Sequence, residues 1–281
     1  MTNNTTDNAS SSEPLHIERK GSGEPLVLVH GYLGGSSQWA AEMQALSPHL
    51  DMIAMDLPGF GKSRQLASPD QITGYAQAVL GCLDRLGVQR FHLLGHSMGG
   101  MIAQEVVRLA PQRVNRLVLY ATGPLGLLPG RFETMARSRE RLAQDGVDAT
   151  ARRISATWLL HREASPCAQA LGDLAAQASP QAAEAGLWAM ERWDGRDHLP
   201  HITQPTLIVW GDQDRSYQWP QIETLWRQIP GASLAVLPHC SHALHLEYPE
   251  AFHRLLLDFL LGPSNQPKPL SPPGSGWHTA V

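Results

Sequence analysis

Short apolar runs recur along the chain at 25–31, 51–59, 90–97, 114–122, 204–212 and 232–239, and most are apolar throughout rather than alternating. Such runs are expected of strands covered on both faces, as in a parallel sheet between two helical layers. An earlier stretch, 15–21, reads as an edge strand. Between the runs, apolar positions recur with the helical period over 37–48, 72–87, 98–110, 218–229 and 249–261. In 98–110, Ile102, Val106 and Ala110 form one stripe and Ala103 and Val107 a neighbouring one. Gln104, Glu105 and Arg108 fall on the other side, and Pro111 stops the helix. Strand and helix alternate, which predicts an α/β fold built on a mostly parallel, doubly wound sheet.

The alternation lapses once. Residues 124–202 carry no strand pattern, are rich in Ala, Arg, Leu, Gln and Glu, and hold Trp158, Trp188 and Trp193. They predict a helical cap inserted between two strands, which divides the core into 15–123 and 203–262. The Asn/Thr/Ser-rich tail 1–14 and the Pro/Ser/Gly-rich tail 263–281 are expected to be disordered.

Composition narrows the function classes. A chain of 281 residues can form one large domain with an insertion. The net charge of −4 offers no electrostatic footprint for nucleic acid. No apolar run reaches the roughly 18 residues of a membrane span, and the polar N-terminus lacks the apolar core of a signal peptide. Cys82, Cys167 and Cys240 are odd in number and far apart, which favours a reducing, cytoplasmic setting over a disulfide framework. The 13 histidines show no metal-ligand spacing. His239, His242 and His245 lie three apart, but Pro238 and Pro249 favour an extended loop there. No metal or organic cofactor is expected, and the expected partner is a small molecule.

One stretch carries chemistry. Gly95-His96-Ser97-Met98-Gly99 fits G-x-S-x-G directly after an apolar strand and before an amphipathic helix, the context that motif requires. Gly100 follows, and Gly87 lies a little upstream. A serine on so tight a turn projects its hydroxyl above the carboxyl edge of a sheet, at a helix N-terminus whose dipole favours developing negative charge. The hydroxyl is a weak nucleophile alone and needs a base.

With "HGYLGGSSQW", "DLPGFGKS", "WGDQD" and "SHALHLEYPEAF", this stretch makes five motifs in order, and the chain over about 15–262 resembles the α/β-hydrolase superfamily. The resemblance implies a triad in the order Ser97, Asp214, His242. His242 takes the Ser97 proton, and Asp214 fixes the ring tautomer. It also implies an oxyanion hole made by the main-chain N–H groups of Met98, after the nucleophile, and of Tyr32, after His30-Gly31. Asp212 and His245 are the rivals for acid and base; Asp212 is expected to brace its loop and His245 to pack. His30 is expected to shape the oxyanion loop, Asp56 and Arg64 to brace a neighbouring one, Trp39 to pack under the cap, and Cys240 to be structural. The three cap tryptophans are candidates either to line the pocket or to fill the cap core. Arg131, Arg137, Arg139 and Arg141 are candidates to meet a substrate carboxylate, or else form a solvated face.

Ser97 at the nucleophile position sets the chain apart from the haloalkane dehalogenases and epoxide hydrolases, which carry aspartate there. The meta-cleavage carbon–carbon hydrolases commonly have Asn before the nucleophile and Trp after the base; here those residues are His96 and Ala243. "GHSMGGMIAQEVVRLAPQRVNRLVLYAT" is most similar to small carboxylesterases and enol-lactonases of the 3-oxoadipate type. The expected activity is hydrolysis of a small carboxylic ester or lactone through an acyl-enzyme. The alternatives are a carbon–carbon bond hydrolase and a ligand-binding receptor on the same fold.

Overall fold

The computed structural model describes residues 14–127, 130 and 132–263. Apart from Pro14 and Pro263, the two tails lie outside the described residues, as does Arg131. In chain order the elements are β1 (Ile17–Lys20), β2 (Pro25–Val29), α1 (Ala40–Leu46), β3 (Asp51–Met55), α2 (Ile72–Arg85), β4 (Phe91–His96), α3 (Met98–Leu109) and β5 (Val114–Tyr120). Then come α4 (Met135–Ala156), α5 (Ala168–Ala175), α6 (Pro180–Glu191), β6 (Thr206–Gly211), α7 (Trp219–Gln228), β7 (Ser233–Leu237), α8 (Leu244–Glu247) and α9 (Pro249–Leu261).

Among the described residues the strands form one sheet in the order β1-β3-β2-β4-β5-β6-β7. β1 pairs antiparallel with β3, and every other pairing is parallel. Successive strand residues feed opposite cores. Leu26 and Leu28 of β2 join α1 and α9 on one face, while Val27 and Val29 join α2, α3 and α7 on the other. The chain runs from β2 outward to β3 and back past β2 to β4, so the strand order reverses between β2 and β4. The loops that leave the carboxyl ends of those two strands diverge, and the crevice between them is where open α/β sheets bind ligands. One loop carries Gly31 and Tyr32; the other is Ser97.

α4, α5 and α6 all lie between β5 and β6; they add Met135, Ile154 and Leu187, and the turn after α4 adds Trp158, to the core on the α2–α3 face. The two ends of this insertion are joined by a bridge between Leu125 and Asp194 and by the Gly195 N–H donating to the Pro124 carbonyl at 2.8 Å. α4 is broken at Gly146 (φ 77°), where the left-handed backbone favours a residue without Cβ.

Several expectations are corrected. The helix expected from residue 37 opens as a 3₁₀ turn, Ser36–Trp39. The strand expected to reach 59 stops at Met55 because the chain turns through Gly59 and Gly61, both at positive φ. The run 232–239 is not buried on both faces: β7 is an edge strand with Ser233 and Val236 exposed. Gln104 and Glu105, on the polar side of α3, are nevertheless buried. Gln104 donates to the Gly100 and Gly123 carbonyls, and Glu105 accepts from Thr73 and Arg108. Trp39 joins the α1–α9 core rather than packing under the insertion. Gly87 ends α2 at φ +70° and is not part of the Ser97 turn.

Candidate active site

Ser97 stands alone between β4 and α3, with φ 57° and ψ −119°. A non-glycine residue there stores about 1–3 kcal/mol of strain, which its surroundings must hold. They do so through bonds to the Ser97 main chain. The Ser97 N–H donates to the Tyr120 carbonyl at 3.0 Å, and the Ser97 carbonyl accepts from Gly100 N–H at 2.8 Å and from the Thr122 hydroxyl at 2.7 Å. Glycine is required at 99, where a Cβ would stand 2.3 Å from the Val29 carbonyl oxygen. The end of β2 therefore touches the first turn of α3.

His242 and Asp214 arrive on the loops after β7 and β6. His242 Nδ1 lies 2.9 Å from Asp214 Oδ2, and both side chains are buried. The other Asp214 oxygen, Oδ1, accepts the Ser216 and Tyr217 N–H groups at 2.7 and 3.2 Å. The acid is thus fixed from behind, and its free oxygen faces the ring. The Tyr217 ring stacks on the His242 imidazole, with centroids 5.7 Å apart and planes at 16°. Ser97 and His242 line one small cavity, of about 30 Å³, with Tyr32, Ser216 and Tyr217 from the core and Phe132, Met135, Ile154, Trp158 and Met190 from the insertion.

The loop expected to help hold an oxyanion approaches from β2. A Cβ on Gly31 would lie 2.9 Å from Ser97 Cβ, so the main chain of Gly31 and Tyr32 passes directly beside the serine. His30 Nε2 accepts the Leu57 N–H at 2.9 Å, and Asp56 accepts the Ser36 and Lys62 N–H groups at 2.5 and 2.9 Å. The Tyr32 hydroxyl donates to the Ala183 carbonyl of α6 at 2.6 Å. Met98 opens α3, and first-turn N–H groups have no acceptor inside their own helix.

The rivals take other places. Asp212 accepts the His239 N–H at 2.8 Å and braces the loop. His245 sits on α8, where the segment expected to be extended closes into a short helix, and its ring packs against Trp39. Burial lowers the His245 pKa to about 4. Burial pushes the Cys240 thiol up to about 11, with Glu247 and Asp212 acting in the same sense. Arg137 pairs with Glu140, Arg139 with Glu191, and Arg141 lies 3.7 Å from Glu133, so each is engaged by a carboxylate of this chain. Trp188 carries the guanidinium groups of Arg139 and Arg192 over its ring, and Trp193 borders a separate cleft. Only Trp158 of the three tryptophans lines the cavity, 5.9 Å from the His242 ring. Among the described residues no cluster of three or more His, Cys, Asp or Glu could hold a metal ion, and no helix is long and apolar enough to cross a membrane.

Sequence reasoning missed the clamp that holds Trp158 in place. Arg215, next to the acid, donates to the Leu159 and Leu160 carbonyls at 3.0 and 3.2 Å. Glu247 accepts the Leu160 N–H at 2.5 Å and the Ser241 N–H at 2.7 Å, and the Ala243 N–H donates to the Trp158 carbonyl at 2.9 Å. No local pattern marks these pairs; Leu160 and Glu247 are 87 positions apart. Glu247→Ala strands two main-chain donors and is expected to lower the unfolding free energy by about 1–3 kcal/mol in urea titrations. Glu247→Gln, which keeps one acceptor oxygen, is expected to lose less.

The buried histidines make stability depend on pH. His245 stays neutral in the folded chain down to about pH 4, whereas an unfolded histidine protonates near 6.5. Between those values the unfolded chain binds more protons, so this contribution falls as pH falls from about 6.5 to 4, by about 3 kcal/mol in all. His30 and His96 are shifted downward by burial in the same sense. Urea midpoints at pH 7, 5.5 and 4.5 should decline, with a shallower decline for His245→Gln.

Comparison with known proteins places this geometry in context. Residues 24–249 match the family model described as the alpha/beta hydrolase fold. The chain is 31% identical to a pimeloyl-[acyl-carrier protein] methyl ester esterase from Nitrosomonas europaea, over 85% of this chain and 96% of that one. It is 29% identical to a 2-hydroxy-6-oxononadienedioate/2-hydroxy-6-oxononatrienedioate hydrolase from Comamonas testosteroni, over 88% and 91%. Among solved structures, the enol-lactonase of Burkholderia xenovorans LB400 superimposes with a TM-score of 0.80 at 25% identity, over 88% of this chain and 96% of that one. The chain spans 64% of the length of the 32% identical dihydrolipoyllysine-residue acetyltransferase component of an acetoin cleaving system from Pseudomonas putida.

Proposed function

The chain belongs to the α/β-hydrolase family, and from that premise we propose that it cleaves a small carboxylic ester or lactone through an acyl-enzyme on Ser97. The observation that carries this reading is the buried Asp214–His242 bond opening onto the cavity that also holds Ser97. In the proposed cycle the Ser97 hydroxyl oxygen bonds to the carbonyl carbon while its proton passes to His242 Nε2. The main-chain N–H groups of Met98 and Tyr32 hold the oxyanion. The carbon–oxygen bond to the alcohol breaks, and His242 returns the proton to the departing alkoxide. Water, giving a proton to His242, then attacks the acyl carbon; the bond to Ser97 breaks, His242 returns that proton to the Ser97 oxygen, and the acyl group leaves as a carboxylic acid.

Apart from Ser97, Ser216 and His242, the lining is apolar or aromatic, which supports an uncharged group beside the scissile carbonyl. A second reading, hydrolysis of a carbon–carbon bond, is favoured by the similarity to the Comamonas hydrolase. The test is nitrophenolate release from p-nitrophenyl esters, acetate to octanoate, beside a lactone and a dienone panel. Steady turnover of esters or lactones is expected. Turnover of dienones alone would replace this reading with the second, and a single stoichiometric burst would replace both with a ligand-binding role.

A further inference from the structure

His96 and Tyr120 meet at one atom, the main-chain carbonyl oxygen of His242. His96 Nε2 lies 3.1 Å from it and the Tyr120 hydroxyl 3.0 Å. The two residues end adjacent parallel strands, β4 and β5, and pair with each other in the sheet register. Both are buried; their rings stack with centroids 4.5 Å apart, and the His96 ring lies 4.7 Å from the His242 ring.

The proton inventory decides who donates. A carbonyl can only accept, so His96 carries its proton on Nε2, and Nδ1 is left as an acceptor facing the Gln38 amide nitrogen at 3.4 Å. The Tyr120 oxygen also receives the His245 N–H at 3.2 Å and lies 2.8 Å from His245 Nδ1. A hydroxyl has one proton to give. Among the described residues the buried His245 Nε2 has no partner, and a buried bare lone pair costs less than a buried unpaired N–H. The His245 proton therefore sits on Nδ1 and points at the tyrosine oxygen. That leaves the Tyr120 proton for the His242 carbonyl.

We infer that His96 and Tyr120 are positioning residues that set the separation of nucleophile and base by holding the His242 carbonyl from the strand ends beside Ser97. His96 is covalently joined to Ser97, so one hydrogen bond separates the main chain of the nucleophile from that of the base. The Tyr120 carbonyl holds the Ser97 N–H while its hydroxyl holds His242. Neither side chain lines the cavity, so neither touches substrate. The inference rests on the Ser97–His242 reading of the site.

The test compares the full-length chain with Tyr120→Phe, His96→Phe and His96→Gln, whose amide nitrogen restores a donor at the Nε2 position. Two readouts are taken: kcat and KM on p-nitrophenyl butyrate, and the rate of Ser97 labelling by a fluorophosphonate. Displacing a reacting group by about 1 Å can cost about 100-fold, so His96→Phe is expected to lower kcat and labelling by about 100-fold. Tyr120→Phe, which keeps the ring and retains one donor on the carbonyl, is expected to lower both by about 10-fold. KM should stay within about twofold, and His96→Gln should recover most of the loss. Unchanged kcat and labelling in a folded Tyr120→Phe, or a rise in KM without loss of kcat, overturns the inference even if His96→Phe does not fold. A wild-type chain that neither turns over esters nor takes the label overturns the underlying reading instead.

Discussion

Ser97→Ala is expected to lower kcat/KM for ester hydrolysis by about a million-fold, to the residual rate left by binding and the oxyanion donors. The size of the effect follows from the role. Without the hydroxyl no acyl-enzyme forms, and His242 and Asp214 have no proton to move. The fold should survive, because the bonds that hold the strained turn come from the Ser97 main chain and not its side chain. Nitrophenolate release by the purified variant, checked for an unchanged circular dichroism spectrum, measures it. A variant that keeps even a tenth of wild-type turnover would remove Ser97 from the mechanism.

Asp214→Asn is expected to lower kcat by about 10⁴-fold with little change in stability or KM. The reason lies in which oxygen does what. Oδ1 accepts the Ser216 and Tyr217 N–H groups, and only an oxygen can do that. An asparagine therefore keeps its carbonyl oxygen on those donors and turns its amide NH₂ toward His242 Nδ1. Two donors then face each other unless the imidazole moves its proton to Nε2. In that tautomer the nitrogen that should accept the Ser97 proton is already protonated. The measurement is kcat against pH for the variant and for Asp212→Asn, whose parent carboxylate only braces His239 and which should stay near wild type. Equal losses at the two positions would refute the assignment of the acid.

What the sequence could supply depended on how local the signal was. The Ser97 turn was legible because an apolar strand, a tight glycine turn and an amphipathic helix fall within about twenty contiguous residues. Asp214 and His242 each follow a strand end, but Asp212 and His245 lie in the same stretches of chain, and it was the resemblance to the family that singled out the expected acid and base. The edge character of β7 was hidden, because exposure of Val236 depends on a neighbour that is absent and not on the run itself. The roles of His96 and Tyr120 were also hidden: their contacts with His242 span 146 and 122 positions and end on a main-chain atom, which no side-chain pattern records. Arginines 137, 139 and 141 look identical in sequence whether they face water, substrate or a carboxylate; helical spacing brings Glu140 to Arg137, and folding brings Glu191 and Glu133 to the other two.

The break in α4 divides the wall of the cavity between two levers. Ile154 and Trp158 stand on the segment fastened to the acid and base loops through Arg215, Glu247 and Ala243, so that wall is geared to the triad. Met135 stands beyond Gly146, on the other arm of the helix. A space of about 30 Å³ holds little more than one water, so any larger ligand must widen it to enter. The two arms are tied across the break, by Arg153 to Glu133 at 3.1 Å and by the Thr150 hydroxyl to the Arg141 carbonyl at 3.4 Å, so widening on one side pulls on the other. Gly146 is thus the joint at which this wall bends, and the pair that spans it sets how far the two halves can part.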